Sequence, residues 1–155
     1  RGPLIGRGFI HGIQDCLSAI EDWHAVQGIA LPQSPRDWEW WLPGTDAEGN
    51  PTPAKDFYRD LYQPYGFERI DGPMPGAVFM VPMGEHADGQ PILTPNHAGI
   101  YLGADLILHH ITTRNAYDPS RLSARQPIGR WRTFFNAPPV WIRHRDLPLK
   151  GLREI

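Results

Sequence analysis

His97-Ala98-Gly99-Ile100-Tyr101-Leu102-Gly103-Ala104-Asp105-Leu106-Ile107-Leu108-His109-His110 is the stretch that decides the fold. Two short apolar runs, 97–102 and 106–111, flank a glycine-led turn at Gly103-Ala104-Asp105, and that pattern reads as a β-hairpin. Upstream, the turn signal Pro75-Gly76 precedes a further apolar run at 77–81. Downstream, residues 131–135 and 140–143 read as two more strands, separated by the Pro138-Pro139 turn. All of these are short, closely spaced and joined by turns, as in an antiparallel sheet.

The N-terminal half has a different period. Residues 1–12 carry Gly2, Gly6, Gly8 and Gly12 and read as an irregular lead-in. From Asp15 onward, Ile13, Leu17, Ile20, Trp23 and Val26 recur at helical spacing, with Asp15 as N-cap and Gly28 as stop signal. Glu21 and Asp22 fall on or near the opposite face. Residues 31–56, with five prolines around Trp38, Trp40 and Trp41, read as a long excursion holding one short helix near 35–41. A second short helix over 53–62 sets Phe57 and Leu61 on one side. A helix followed by antiparallel strands predicts an α+β domain in which the helix bearing Cys16 packs on a central sheet.

Composition narrows the function. A length of 155 residues supports one domain with a real core, and a start at Arg1 rather than Met suggests a piece of a longer or processed polypeptide. The formal net charge of −2 argues against a nucleic-acid partner, which requires clustered basic residues. The cluster Arg143-His144-Arg145 reads as a solvated strand end. One cysteine excludes an internal disulfide. No run approaches the ~20 apolar residues of a membrane span, and no signal peptide is visible.

Cys16 opens its helix directly after the cap. Unpaired amides and the helix dipole give that position partial positive charge, which favours a thiolate and offers donors to an oxyanion. A free cysteine on a helix is nonetheless ordinarily a small packed hydrophobe. A nucleophile needs a base and the base needs an orienting group, so the histidines carry the rest. His97 opens a strand, and Gly99 leaves room there for close backbone or substrate approach. Of His109 and His110, only one shares a face with His97. A two-residue turn at 104–105 selects His110, a three-residue turn at 103–105 selects His109, and a one-residue slip exchanges them.

Asp15-Cys16, Pro75-Gly76-Ala77-Val78, His97-Ala98-Gly99-Ile100-Tyr101-Leu102-Gly103 and His109 together resemble the NlpC/p60 family of cell-wall cysteine peptidases. The resemblance is closest to the branch found in phage tail assembly proteins, through His11-Gly12-Ile13-Gln14-Asp15-Cys16, Pro95-Asn96-His97-Ala98-Gly99, Leu106-Ile107-Leu108-His109-His110 and Ser120-Arg121-Leu122-Ser123. It covers most of residues 9–135. Leu17-Ser18 stands where the family often has Ser-Gly, and Ala77 where it often has Asp.

The resemblance implies a papain-like fold with Cys16 as nucleophile, His97 as general base and His109 as the orienting residue. His110 then faces the other side. It further implies hydrolysis of a γ-D-glutamyl–diaminopimelate amide in peptidoglycan stem peptide, without cofactor or metal. Other phage tail proteins would be partners, in a virion or delivered to the periplasm or cell wall. The Trp-rich excursion would shape or cover the cleft. Arg7, Arg114 and Arg125 are candidate carboxylate holders, each expected more readily on a solvated surface.

Other readings compete. Zinc held by Cys16, His97 and His109 lacks support from any His-Glu-x-x-His or paired-cysteine spacing. Glu85-His86-x-Asp88, between Gly84 and Gly89, reads as a polar turn. The same fold also suits a structural tail-tip module, or an amidase or acyltransferase acting on another acyl group.

Overall fold

Asp15 starts the only long helix among the described residues. Its backbone is extended, and its carboxylate accepts from the Ser18 amide and the Ser18 hydroxyl, both at 3.0 Å. That bond satisfies one of the amides a helix start leaves unpaired. The helix, α1, then runs Cys16–Val26. Leu17, Ile20 and Trp23 are fully buried along it, each contributing roughly 1.5–3 kcal/mol through apolar burial.

The computed structural model describes residues 3–33, 41–54, 56–111 and 117–155. The expected helix near 35–41, with Trp38 and Trp40, lies outside them, as do Arg114 and the side chains at 57 and 61. Among the described residues the strands, in chain order, are β1 (Gly8–Ile10), β2 (Gly44–Thr45), β3 (Pro51–Thr52), β4 (Phe67–Ile70), β5 (Val78–Val81), β6 (His97–Gly103), β7 (Leu106–His109), β8 (Tyr117–Leu122), β9 (Ala124–Pro127) and β10 (Val140–His144). Six form the central sheet in the order β4-β10-β5-β6-β7-β9, every neighbour antiparallel. β1 pairs with β8 and β2 with β3 as separate ribbons. The architecture is α+β, as the order of periodicities predicts.

The hairpin combines the two registers that the sequence leaves open. Ala104 and Asp105 both have positive φ, 51° and 60°, as a two-residue type I′ turn requires. A bulge between Tyr101 and Gly103 then shifts the pairing by one residue, giving Tyr101↔Ile107 and Gly99↔His109. A bulge sets two residues against one, so everything beyond it changes face relative to a plain two-residue hairpin. His109 therefore shares the face of His97.

The sheet buries both faces. Val78, Met80, Ala98, Ile100, Leu108 and Ile142 pack with Leu17, Ile20 and Trp23 of α1. Ala77, Phe79, Val81, Tyr101, Ile107 and Trp141 form a second core on the reverse face, closed by Ile128 and by the partly buried Trp131 and Phe135.

Several expectations are corrected. The lead-in is not wholly irregular, because β1 pairs with β8. At Gly8 a Cβ would stand 2.9 Å from the Pro119 backbone, so glycine permits this pairing rather than preventing it. Ile13 precedes the helix and is 56% exposed, and Glu21 is buried. The segment 53–62 holds a π-helical turn over Phe57–Tyr62, followed by a 3₁₀ turn at Gln63–Tyr65. Residues 131–135 form no strand. They continue a 3₁₀ turn at Ile128–Arg130 into another at Arg132–Phe134, because β9 already takes the sheet position beside β7.

The cluster at 143–145 does end β10, but of its three residues only Arg145 is exposed. Arg143 is 7% exposed, and its guanidinium donates to the carbonyls of Pro75, Leu147 and Pro148 at 3.1, 3.0 and 2.6 Å. His144 is buried edge-on against Phe67, with ring centroids 5.1 Å apart.

Candidate active site

β6 and β7 bring two histidines together. His97 is 2% exposed, and its Nε2 lies 3.1 Å from Nδ1 of His109. The Phe79 ring packs edge-on against His97 at 5.9 Å. Phe79 also occupies the space that Gly99 leaves: a Cβ on Gly99 would stand 2.6 Å from the Phe79 ring and 2.6 Å from the Leu108 carbonyl oxygen. The room expected there for close approach is filled by the protein itself.

His109 is held on its other side. Its Nε2 donates to Oε1 of Gln126 on β9 at 2.7 Å, and the indole Nε1 of Trp131 donates to the same oxygen at 2.9 Å. The Trp131 ring stands edge-on to His109 at 5.0 Å. Neither Gln126 nor Trp131 is marked by the sequence. β9 sits at the sheet edge without an apolar alternation, and the indole reaches Gln126 through turns where a strand is expected.

Burial dominates the electrostatics. Desolvation lowers His109 from 6.5 to about 4, against the raising effect of the Gln126 hydrogen bond. Desolvation, with the charges of His109 and His110 adding to it, pushes His97 well below its ordinary value. Burial thus favours the neutral form of both imidazoles, the form a general base needs.

His110 faces the α1 side, as the alternation along β7 requires. Its Nε2 donates to the Arg121 carbonyl at 2.7 Å and its ring meets Phe9 edge-on at 5.3 Å. It is a packing residue near the start of α1, where Asp15 and Arg7 both bear on its charge.

Cys16 stands at the first residue of α1, 9% exposed, within the core shared by α1 and the sheet. His97 starts on the reverse face, in line with Gly99 and Tyr101. Among the described residues Nδ1 of His97 is buried and has no hydrogen-bond partner, so no such bond joins it to the Cys16 thiol. The structure brings His97 and His109 together. The loop before Cys16 is tightly held, with Asp15 also accepting from the Gly12 amide at 2.7 Å and lying 3.8 Å from the His11 ring.

Arg7 is not on a solvated surface: it is buried, and its Nη1 pairs with Asp22 at 2.6 Å. Arg125 is exposed on β9. Glu85, His86 and Asp88 lie in a turn closed by the His86 amide on the Gln90 carbonyl and by Asp88 on the Gln90 amide. Both ring nitrogens of His109 are engaged in hydrogen bonds. Among the described residues no group of three or more His, Cys, Asp or Glu is arranged to hold one.

The chain is similar to two proteins named tail tip assembly protein K. It is 30% identical to that of Escherichia phage lambda over 145 residues, covering 92% of this chain and 59% of that protein. It is 33% identical to that of Escherichia phage N15 over 128 residues, covering 82% of this chain and 44% of that protein. The chain thus spans about half the length of these relatives. No family model matches, and no solved structure matches.

Proposed function

We propose that this chain acts in the assembly of a phage tail tip, and that it carries there a cysteine amidase site directed at peptidoglycan stem peptide. The tail role is supported by the two relatives, whose names give that role and whose similarity runs through most of the chain. The amidase reading rests on one observation: two buried, hydrogen-bonded histidines on adjacent strands, the first with a vacant buried Nδ1. It also draws on the resemblance to the NlpC/p60 family and its papain-like fold.

In this reading Nδ1 of His97 takes the Cys16 proton and the thiolate attacks the amide carbonyl. Amides at the start of α1 hold the oxyanion. His97 then protonates the leaving amine, and water releases the acyl-enzyme. The thiol must come within reach of Nδ1 on substrate binding, as catalytic hydrogen bonds often tighten only in the complex.

A second reading is a structural tail module that keeps the fold without the chemistry. The absence of a hydrogen bond from the described residues to His97 Nδ1 favours it, and so do the names of the relatives, which describe assembly alone. Digestion of purified murein with the wild-type chain and with Cys16→Ala, read by mass spectrometry, separates the two. Peptide products from the wild type alone support the amidase; equal product from both, or none from either, leaves the structural module. Plaque formation by phage carrying Cys16→Ala tests whether the thiol is needed in the tail.

A further inference from the structure

Trp131, Gln126, His109 and His97 form a line of hydrogen bonds in which each donor and acceptor is forced by the one before it. An indole N–H can only donate, so the Gln126 oxygen 2.9 Å from Trp131 Nε1 is an acceptor. That same oxygen lies 2.7 Å from His109 Nε2 and has no proton to give, so Nε2 of His109 carries one. A neutral imidazole holds a single proton, which makes Nδ1 of His109 a lone pair. It faces His97 Nε2 at 3.1 Å, so that nitrogen carries the proton of His97. The lone pair of His97 is then on Nδ1, the buried nitrogen without a partner among the described residues.

We propose that Trp131 and Gln126 are positioning residues that fix the tautomer of His97, through His109, so that its proton-accepting atom is Nδ1. The amide is the switch in this line. Turned by 180°, it would present N–H₂ to His109 Nε2, the His109 proton would move to Nδ1, and Nε2 of His97 would have to accept. His97 would then carry its proton on Nδ1 and could take none from a thiol. Trp131 prevents the turn, because an amide N–H₂ facing its N–H would set two donors against each other. Its ring also seats His109 edge-on. The tautomer stands on these contacts alone; its use in catalysis rests on the amidase reading.

The test is two-bond ¹H–¹⁵N correlation spectroscopy of the ¹⁵N-histidine-labelled chain near pH 8, above the ordinary imidazole range. The wild type is expected to show His97 and His109 both protonated at Nε2. Trp131→Phe keeps an aromatic ring but loses the donor, and a substantial Nδ1-protonated population of both histidines should appear. Adding Gln126→Glu to Trp131→Phe should restore the Nε2 tautomer, because a carboxylate presents acceptors in either orientation. A wild type with its His97 proton on Nδ1 overturns the proposal whether or not the variants fold, and so does a folded Trp131→Phe chain whose tautomers are unchanged. Murein digestion by the same samples is a separate readout. Nε2 tautomers with no peptide release would sink the amidase reading and keep the relay; peptide release with the wrong tautomer would do the reverse.

Discussion

His97 and His109 meet diagonally, 3.1 Å apart, while the residue directly opposite His109 is Gly99. A diagonal neighbour across an antiparallel pair is ordinarily about 7–8 Å away and is reached only by long or aromatic side chains. Here the direct partner has no side chain, and the imidazole leans along the strand to the next residue on its face. The Phe79 ring fills the space above Gly99 and backs His97. The histidine pair thus depends on a glycine that is not part of it.

Gly99→Ala should therefore damage both stability and the pair. Its methyl would stand 2.6 Å from the Leu108 carbonyl and from the Phe79 ring. Backbone cannot yield as a flexible side chain can, so overpacking of roughly 1–3 kcal/mol is expected. Urea unfolding should show a midpoint lowered accordingly. An unchanged midpoint would mean that the two strands separate easily, and would remove the argument that the pair is rigidly held.

Stability should fall as the medium is acidified from neutrality. His24 is fully buried, its Nδ1 donates to the Ile20 carbonyl at 2.7 Å, and desolvation holds it at about 4. His109 stands at about 4 for the same first reason. In the unfolded chain both titrate near 6.5. Between about 4 and 6.5 the unfolded chain binds protons that the folded one refuses, so stability is full above that window and is lost as pH falls through it. At pH 5 the loss is roughly 2 kcal/mol for each of the two. His24→Leu should remove about half of their joint dependence, read as urea midpoints at pH 5 and 7.5. Parallel midpoints in the wild type would show that these imidazoles are not held neutral.

The hairpin turn is a place where the sequence is not optimal. Ala104 sits at φ 51°, a left-handed conformation that costs a residue with a Cβ roughly 1–2 kcal/mol. Ala104→Asn supplies a residue that tolerates it, with an expected gain of about 0.5–1 kcal/mol. Asp105 should be kept, because its Oδ1 accepts from the Tyr101 hydroxyl and its amide donates to the Tyr101 hydroxyl oxygen, both at 3.2 Å. The register must survive this change, since the bulge at residues 101–103 sets it. Thermal melting gives the gain, and amide exchange across β6 and β7 shows whether pairing has slipped.

The periodic elements were legible in the sequence and the irregular ones were not. α1, β5, β6, β7 and β10 each carry an apolar pattern with a cap or turn at one end. β9 and β8 lie at edges, where one side faces water and the alternation that marks a strand is weak. The choice between His109 and His110 was not readable from residues, because turn length alone gives the wrong face and the bulge that corrects it leaves no local mark. Resemblance selected His109, and the structure places it with His97. Gln126 and Trp131 were invisible as site residues for a related reason: their importance lies in which atom each can donate or accept, and that appears only once the strands are side by side. The cluster at 143–145 was misread because charge suggests solvent, whereas a guanidinium can also be buried when carbonyls surround it.

Arg143 supplies the last test, and its geometry gives the size. Three carbonyls from two separate chain segments, Pro75 on one side and Leu147 and Pro148 on the other, converge on one guanidinium. The fork spaces its donors rigidly, which a single ammonium cannot imitate. Arg143→Met keeps much of the side chain's volume and leaves all three acceptors without this donor. Partial access of water to the turn offsets some of the cost, so the expected loss is about 3 kcal/mol rather than the sum of three full penalties. Arg143→Lys should fall between wild type and Met, because the charge remains and at most part of the fork is replaced. The order wild type, Lys, Met in urea midpoint is the expected outcome. A Met variant as stable as wild type would mean that the turn at 74–77 and the segment at 147–148 are held by apolar packing alone.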